Sequence, residues 1–324
     1  MSDKTFGWCF IGAGGLVPRV MADFGYTKSG YLATMYSRTK SSTDALTARY
    51  GGRSCSTIEE AILDPNVQAV YVVTPNSVHR EHTLKALELG KPVLCEKPFA
   101  MNVRETKEML ALAKEKGLFL MEGMWTRFNP AIRQALAWVR EGRIGRVLSL
   151  SADFASLASD GRVFQLELGG GGQVDVGVYT VAFAQFVFGE KPVRVEAVAQ
   201  MTDSGVDGQC AVTFQYADGA VARLYSAIQV QTPHDAWIYG EKGMIRLPKF
   251  WAPDTAELLV DSQKEVFESH KQGEGFQYEF DAAMEDILAG RLENELVSHA
   301  YTLQVMELLD EIRGKIGLRY PGVD

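Results

Sequence analysis

This sequence has little cysteine, no long apolar run and no excess of positive charge, and each lack closes off a class of protein. Only four cysteines, Cys9, Cys55, Cys95 and Cys210, stand in 324 residues. They are too scattered for a disulfide framework, and no pair has zinc-ligand or redox spacing, so no metal is expected. Each lies in or beside an apolar, strand-like segment, where cysteine acts as a small hydrophobe, and a reducing cytoplasm suits them. No apolar stretch reaches the roughly 18–20 residues that a transmembrane helix needs. The polar start, Met1 to Thr5, runs straight into a strand, so no signal peptide is expected. The formal net charge is −8 with no basic block, which argues against a nucleic-acid or anionic-membrane partner. Neither an internal repeat nor a low-complexity tract interrupts the chain. What is present is an ordinary composition for a packed soluble protein, 46% hydrophobic and 23% charged, in a length that suits two domains.

From Phe6 to about Glu122, short β-rich apolar runs alternate with helical patterns. Strands are expected at Trp8–Ile11, Leu32–Tyr36, weakly near Arg53–Cys55, and at Ala69–Val73, Pro92–Cys95 and Phe119–Met121. Two of the helices between them open on capping-box signatures. Ser56-Thr57-Ile58-Glu59 and Asn102-Val103-Arg104-Glu105 each place Glu three residues after a capping side chain. Continuous apolar strands alternating with helices imply a parallel sheet covered on both faces, the doubly wound Rossmann arrangement.

Beyond this the pattern changes. Asn129-Pro130 opens a helix running to about Glu141. Strands follow at Val147–Phe154, Arg194–Met201, Cys210–Gln215, Val221–Ile228 and Ala236–Tyr239, with Ala217-Asp218-Gly219-Ala220 as a hairpin turn. Partial alternation along Ala211–Tyr216 and Val221–Ile228 suits an antiparallel sheet with unequal faces. Helices return at Phe276–Leu288 and Ser298–Lys315. The expected architecture is an α/β Rossmann domain over residues 1–123, then an α+β domain over 124–324. The second domain's large, mostly antiparallel sheet would carry helices on one face and leave the other open.

Gly12-Ala13-Gly14-Gly15-Leu16-Val17 follows the first strand and opens a helix. A dinucleotide fingerprint needs Gly for the tight turn, Gly for close approach of the pyrophosphate, and a small residue for helix–strand packing. Gly12 and Gly14 meet the first two needs, and Val17 stands in the third position. At the end of the second strand NAD enzymes place Asp or Glu on the ribose 2′-hydroxyl, but this chain reads Tyr36-Ser37-Arg38-Thr39. Ser37 can donate to a 2′-phosphate and Arg38 can pair with it, where a carboxylate would repel it, so NADP is the expected cofactor. Arg38 as a solvated loop charge stacked on adenine would be compatible with NAD as well. Thr74-Pro75-Asn76 follows the fourth strand at the carboxyl edge of the sheet, where a nicotinamide or its ribose would lie. As plain structure it is a strand-to-helix loop capped by Asn76 or Ser77. His79 and His82, in the helix after it, have no third partner for a metal and read as helix-surface or cap residues.

Glu96-Lys97-Pro98 sits directly after the Pro92–Cys95 strand, which points Lys97 into the crevice where the nicotinamide should be. Taken alone, the tripeptide is also a common surface sequence. The run from Gly169 through Gly172, Gln173, Asp175 and Gly177 to Tyr179 leads into an apolar helix ending near Phe188-Gly189. Asp175 and Tyr179 are four apart and would share one helix face. The glycines let the start of that helix approach another backbone or a ligand closely. In purely structural terms Tyr179 would be a half-buried helix aromatic and Asp175 a first-turn helix charge.

With these motifs in place the chain resembles the glucose–fructose oxidoreductase / inositol dehydrogenase (Gfo/Idh/MocA) family of NAD(P)-dependent oxidoreductases, from Phe6 to Tyr320. The resemblance is carried by the first glycine turn, Thr74-Pro75-Asn76, Glu96-Lys97-Pro98, and Asp175 with a ring residue at position 179. Most relatives have His there. Tyr179 is similar to the branch containing dimeric dihydrodiol dehydrogenase and NADP-dependent D-xylose dehydrogenase. The stretch from Glu122 to Pro130, Gly205-Val206-Asp207-Gly208, Gly240-Glu241-Lys242-Gly243-Met244, and Trp251 to Val260 look like that branch specifically.

The resemblance implies hydride transfer between NADP and an alcohol carbon of a sugar, inositol or trans-diol, with Tyr179 exchanging the hydroxyl proton. Free Tyr, with a pKa of about 10, is a poor base at neutral pH, and a nearby Lys97 ammonium would favour the phenolate. Asp175 would hold a second substrate hydroxyl or orient Lys97. Arg162 occupies a stretch where relatives contact the cofactor through an arginine, and Glu96 counts with the cofactor loop. Trp125, Phe154 and Phe276 are candidate pocket walls, since rings cover the apolar faces of sugars and diols. Relatives pair through the open sheet, so a homodimer is expected; apolar residues on Cys210–Gln215 and Val221–Ile228 exceed what one helical layer should cover. Two other readings stand beside this one. A glycosidase that keeps NAD bound is known on the same fold, against which Tyr179 and the missing carboxylate argue. A non-catalytic nucleotide or sugar sensor would have no need of Lys97, Asp175 and Tyr179 together.

Overall fold

The computed structural model describes residues 4–158 and 161–323, so Met1 to Asp3 of the polar start lie outside the described residues. Among the described residues fourteen strands are formed: Phe6–Ile11 (β1), Gly30–Tyr36 (β2), Arg53–Ser54 (β3), Ala69–Val72 (β4), Val93–Glu96 (β5), Leu120–Gly123 (β6), Val147–Ala155 (β7), Arg194–Met201 (β8), Asp207–Gln215 (β9), Val221–Ala227 (β10), Ala236–Gly240 (β11), Gly243–Leu247 (β12), Thr255–Val260 (β13) and Gln263–Glu268 (β14). The α-helices are Val17–Phe24 (α1), Lys40–Tyr50 (α2), Ile58–Ile62 (α3), His79–Glu88 (α4), Val103–Lys116 (α5), Pro130–Arg140 (α6), Val178–Phe188 (α7), Gln277–Leu288 (α8) and His299–Ile316 (α9). Among the described residues no helix is long and apolar enough to cross a membrane. The chain divides into two compact units, residues 1–125 with 272–303, and residues 126–271 with 304–324.

The first unit holds an all-parallel sheet in the order β3-β2-β1-β4-β5-β6. Every residue of β1, β4, β5 and β6 is buried, as strands covered on both faces must be. The order reverses between β1 and β4, so the loops leaving their carboxyl ends diverge and open a crevice at that edge. Before α5 the expected cap is present: Asn102 accepts the Glu105 N–H at 2.8 Å, and the Glu105 carboxylate accepts the Met101 N–H at 3.1 Å. Before α3 the box sits one residue later than the spacing suggests. Thr57, not Ser56, accepts the N–H three residues on, from Glu60 at 3.1 Å, and Glu60 reaches back to the Ser56 N–H at 3.0 Å. Both hydroxyl residues are able to cap, and the register adopted buries Ala61 and Ile62.

Residues 272–303, which sequence order assigns to the second half, pack with this first unit. Two contacts explain it. The buried Asp23 on α1 accepts the N–H groups of Glu274, Gly275 and Phe276 at 2.8, 2.7 and 3.1 Å, so one carboxylate oxygen caps the entry to α8. Phe280 on α8 then inserts among Trp8, Phe10, Phe24 and Tyr71, with ring centroids 4.9–5.9 Å apart. Aromatic surface of this size dominates core energetics.

The second unit holds an eight-stranded sheet in the order β14-β13-β12-β11-β7-β10-β9-β8. Its pairs are antiparallel except β7 with β10. The hairpin between β9 and β10 closes with the Tyr216 N–H on the Ala220 carbonyl at 2.9 Å. One face is covered by α6, over β12 to β14, and by α7, over β7 and β10. Strands β12 to β14 extend the sheet beyond the five strands expected from sequence.

The alternation along β9 and β10 does what a two-faced sheet requires, with Cys210, Val212, Phe214, Ala222 and Leu224 buried. Their neighbours on the other face are Ala211, Thr213, Gln215, Val221, Arg223 and Tyr225. These two strands therefore do not supply the apolar surplus expected of them. In register with those positions the face carries its apolar groups elsewhere: Val198 on β8, Met244 on β12, and Trp237 and Tyr239 stacked at 6.0 Å on β11.

Candidate active site

The carboxyl edge of the parallel sheet gathers the loops expected to hold a cofactor. Gly12 has φ +122°, and a Cβ there would run into the Val73 carbonyl, so the turn between β1 and α1 needs glycine. Gly14 and Gly15 face open space, with no atom within 4 Å of where a Cβ would lie. The start of α1 has no capping side chain and no acidic residue in its first turn. Backbone N–H groups at an uncapped helix start, beside room for a ligand, suit a pyrophosphate. After β2, Arg38 is exposed and Ser37 donates from its hydroxyl to the Thr39 carbonyl at 2.9 Å. No carboxylate stands among Tyr36, Ser37, Arg38 and Thr39.

After β4 the loop Thr74-Pro75-Asn76 enters a short 3-10 turn over Asn76–Val78, and neither that turn nor α4 has a side-chain cap. The expected Asn76 or Ser77 cap is not formed, and His79, expected on the helix surface or as a cap, lies inside. His79 is fully buried, with Nδ1 2.9 Å from the Pro98 carbonyl and Nε2 2.9 Å from the Thr74 carbonyl. Burial lowers its pKa to about 4, so the ring is neutral near pH 7 and its single N–H donates to one of the two carbonyls. His79 thus packs between the loop after β4 and the loop after β5 and is hydrogen-bonded to one of them. His82 lies 3.2 Å from the Thr74 hydroxyl.

On the loop after β5, Lys97 is half-buried, and Glu96 turns its carboxyl inward. The Glu96 carboxyl accepts from the Tyr71 hydroxyl and, at 3.2 Å, from the Lys97 N–H, and it is only 3% exposed. Expected among the cofactor contacts, this side chain instead braces the loop from within. It belongs to a cluster of buried acids. Glu122 accepts from the Thr302 hydroxyl at 3.0 Å, and burial pushes its pKa up to about 7. Glu279, fully buried with no hydrogen-bond partner on either oxygen, is driven well above the carboxylate range by burial and then by Glu96 and Glu122. In the same unit Trp125 and Phe276 stack at 4.2 Å, both 1% exposed, as a packed pair.

In the second unit the glycine run enters a π-helical turn over Gln173–Gly177 before α7 begins. Asp175 lies in that π turn and Tyr179, four residues on, in the first turn of α7. Asp175 accepts from Arg162 at 3.0 Å. Arg162, expected on the cofactor, is thus paired within this unit with the acidic residue of the motif. Tyr179 is buried, and its ring lies 5.4 Å from that of Phe154. Phe154 also stacks on Trp251 at 5.0 Å and meets His234 at 4.8 Å.

His234 and Trp251 were not singled out as site residues from sequence. Trp251 donates its indole N–H to His234 Nδ1 at 3.1 Å, leaving Nε2–H to donate to the Ala155 carbonyl at 2.8 Å. His234 also has a positive φ, +64°, held by its N–H on Asp153 at 2.9 Å. A non-glycine residue in that region stands out and marks a constrained position. Trp251 had a signal, as the first residue of a branch-specific stretch, whereas His234 had none.

Residues 6–124 match a family model described as an oxidoreductase family with an NAD-binding Rossmann fold. Residues 132–246 match the GFO/IDH/MocA C-terminal domain. Trans-1,2-dihydrobenzene-1,2-diol dehydrogenase from Mus musculus is 34% identical over 273 residues, covering 81% of this chain and 81% of its own. An aldose-aldose oxidoreductase from Caulobacter crescentus, solved with glycerol, superposes with a TM-score of 0.88 at 28% identity over 96% of this chain and 97% of its own. A 3-ketoreductase from Actinomadura kijaniata, solved with NADP and TDP-benzene, shares the fold at a TM-score of 0.87 and 24% identity, over 96% and 98% of the two chains.

The buried acids give a pH signature. With a folded pKa of about 7, above that of an unfolded carboxyl, the stability held by protonated Glu122 is present at acid pH and lost as pH rises through about 7. Glu122→Gln removes that titration. Thermal denaturation from about pH 5 to 8 should show the variant gaining on the wild type with rising pH, by on the order of 3 kcal/mol at most. Two stability curves running parallel across that range would contradict it.

Proposed function

The chain belongs to the oxidoreductase family with an NAD-binding Rossmann fold and a GFO/IDH/MocA C-terminal domain, and from that premise we propose that it is an NADP-dependent dehydrogenase or reductase acting on an alcohol carbon of a sugar, inositol or trans-diol. Residues up to 123 hold the cofactor, and those from 124 onward supply substrate contacts and the face that pairs two copies. The observation that carries the reading is the single sheet edge on which the glycine turn, the carboxylate-free end of β2 and the Lys97 loop all emerge.

Gly12 and Gly14 take the pyrophosphate, and Ser37 and Arg38 take the 2′-phosphate. Thr74, Pro75, Asn76 and Lys97 serve the nicotinamide half, with Glu96 bracing their loop and Arg162 a further contact. The cofactor these residues would hold would supply the hydride acceptor or donor. Tyr179 takes or gives the hydroxyl proton, and Lys97 assists by favouring the phenolate. Asp175, held by Arg162, binds a second hydroxyl. Phe154, beside the Tyr179 ring, is the apolar wall for a ring-shaped substrate. For Trp125 and Phe276 in that role the support is the family resemblance alone. The names of the mouse and Caulobacter relatives, a diol dehydrogenase and an aldose oxidoreductase, favour the same substrate class. Four buried, unpaired cysteines suit a reducing cytoplasm.

The test follows absorbance of the reduced cofactor while the protein meets NADP or NAD with aldoses, inositols and trans-diols. NADP-dependent turnover is expected, with NADP bound about tenfold to a hundredfold more tightly than NAD, the worth of an Arg–phosphate contact. Ser37→Asp should move that preference towards NAD. Equal dissociation constants would refute the cofactor assignment. Cleavage of a p-nitrophenyl glycoside without net reduction, or binding without any turnover, would refute the dehydrogenase.

The second copy pairs through the sheet face bearing Trp237, Tyr239, Met244 and Val198, since grouped apolar side chains on an uncovered face mark an interface. Light scattering should give the dimer mass at micromolar concentration, and a monomer mass with and without cofactor would refute it.

A further inference from the structure

The motif Gly205-Val206-Asp207-Gly208 has no part in the chemistry above, yet Asp207 at the start of β9 is fully buried against the glycine run. Its Oδ2 accepts the Gln173 N–H at 2.7 Å. Gln173 is the first residue of the π turn that carries Asp175 and leads into Tyr179. Oδ1 of Asp207 lies against Gly171, at φ +127°, where a Cβ would strike it, and a Cβ on Gly172 would come within 3.2 Å of Asp207 Oδ2. Glycine at these two positions makes room for the carboxyl group. The run is tied on its other sides by the Tyr320 hydroxyl, which donates to the Gly170 carbonyl at 2.7 Å, and by the Gly171 N–H on the Val163 carbonyl at 2.8 Å.

Oδ1 of Asp207 has no hydrogen-bond partner. Of the ionisable groups on the elements packed there, Cys210 on its own strand feels the Asp207 charge, and Tyr320, with Arg313 5.4 Å over its ring, meets the glycine run at Gly170, while Arg162 and Asp175 pair with each other. Burial without a counter-charge outweighs the Gln173 bond and pushes the Asp207 pKa up to about 7. A side chain needed for packing alone would be apolar, because burying a half-satisfied carboxyl is costly.

We propose that Asp207 is a positioning residue: through Gln173 and the glycine run it fixes the segment bearing Asp175 and Tyr179, most firmly when it is neutral. The catalytic consequence rests on Tyr179 as the acid/base, but the anchoring does not. The sign follows from linkage. A carboxyl whose pKa is higher in the closed site than in water favours the closed site at acid pH, and that advantage is lost as pH rises through about 7.

Amide hydrogen exchange of peptides covering residues 171–179, corrected for intrinsic chemical rates, reads the anchor without any turnover. In the wild type, protection should fall tenfold or more between about pH 5 and 7. Asp207→Asn keeps an oxygen for the Gln173 N–H and cannot ionise, so its protection should match the wild type at about pH 5 and stay level. Asp207→Ala should lose protection throughout and lose about tenfold or more in kcat with the KM for NADP nearly unchanged, and the Asn variant should restore most of that kcat. Protection in the wild type that is flat with pH, or an Asn variant that follows the wild type's fall, overturns the proposal. So does an Ala variant with wild-type protection. If the Ala variant does not fold, the comparison of Asn with wild type decides alone. Lost protection with undiminished kcat keeps the anchor and counts against Tyr179 as the acid/base.

Discussion

The approach of Gly12 to the Val73 carbonyl is the constraint on which the first unit's working edge depends. The two strands that meet there, β1 and β4, flank the point where the strand order turns, so the chain can leave them only by diverging. A side chain at position 12 would force the two loop starts apart. With the turn closed, the Thr74 carbonyl lies against one ring nitrogen of His79, whose other ring nitrogen faces the Pro98 carbonyl on the Lys97 loop. One tight turn thus passes its geometry through a neutral, buried imidazole to the residue proposed to assist proton transfer.

Both units bury acidic groups close to the residues proposed for chemistry, and neither offers those groups a cation as a hydrogen-bonding partner among the described residues. Glu96 is satisfied by the Tyr71 hydroxyl and a backbone N–H, Glu122 by the Thr302 hydroxyl, and Asp207 by Gln173, while Glu279 has no such partner. Burial dominates the shift of each, which makes the protonated form the natural one for Glu122, Glu279 and Asp207 towards acid pH. Sequences optimised for stability alone would place apolar residues there, so such conflicts point to sites where function sets the choice.

Much of this was legible because it is local in sequence. Strand-turn-helix punctuation exposed the glycine turn, the Lys97 loop and the Asn102 cap, since each uses neighbouring residues. The β9–β10 hairpin was equally plain from its turn and its alternation. What escaped depends on partners far along the chain. Nothing within residues 272–303 announces that Asp23 will cap them or that Phe280 will fill the first unit's core. Strand β14 was missed because, as an edge strand, it buries almost nothing, leaving no alternation to read. The π turn escaped because the carboxylate that accepts its first N–H, that of Asp207, stands thirty-odd residues downstream. The burial of His79, expected on the helix surface or as a cap, escaped because a lone histidine on a polar helix carries no sign of burial until both of its carbonyl neighbours are known.

The central claim is that the Tyr179 hydroxyl moves the substrate proton. Tyr179→Phe keeps the ring, its contact with Phe154 and the helix, and removes only that hydroxyl. Turnover on the best substrate, measured beside NADP affinity and thermal stability, should fall by about 10²–10⁴-fold while the other two barely change. A variant that keeps more than about a third of wild-type turnover would make Tyr179 a packing aromatic and contradict the account.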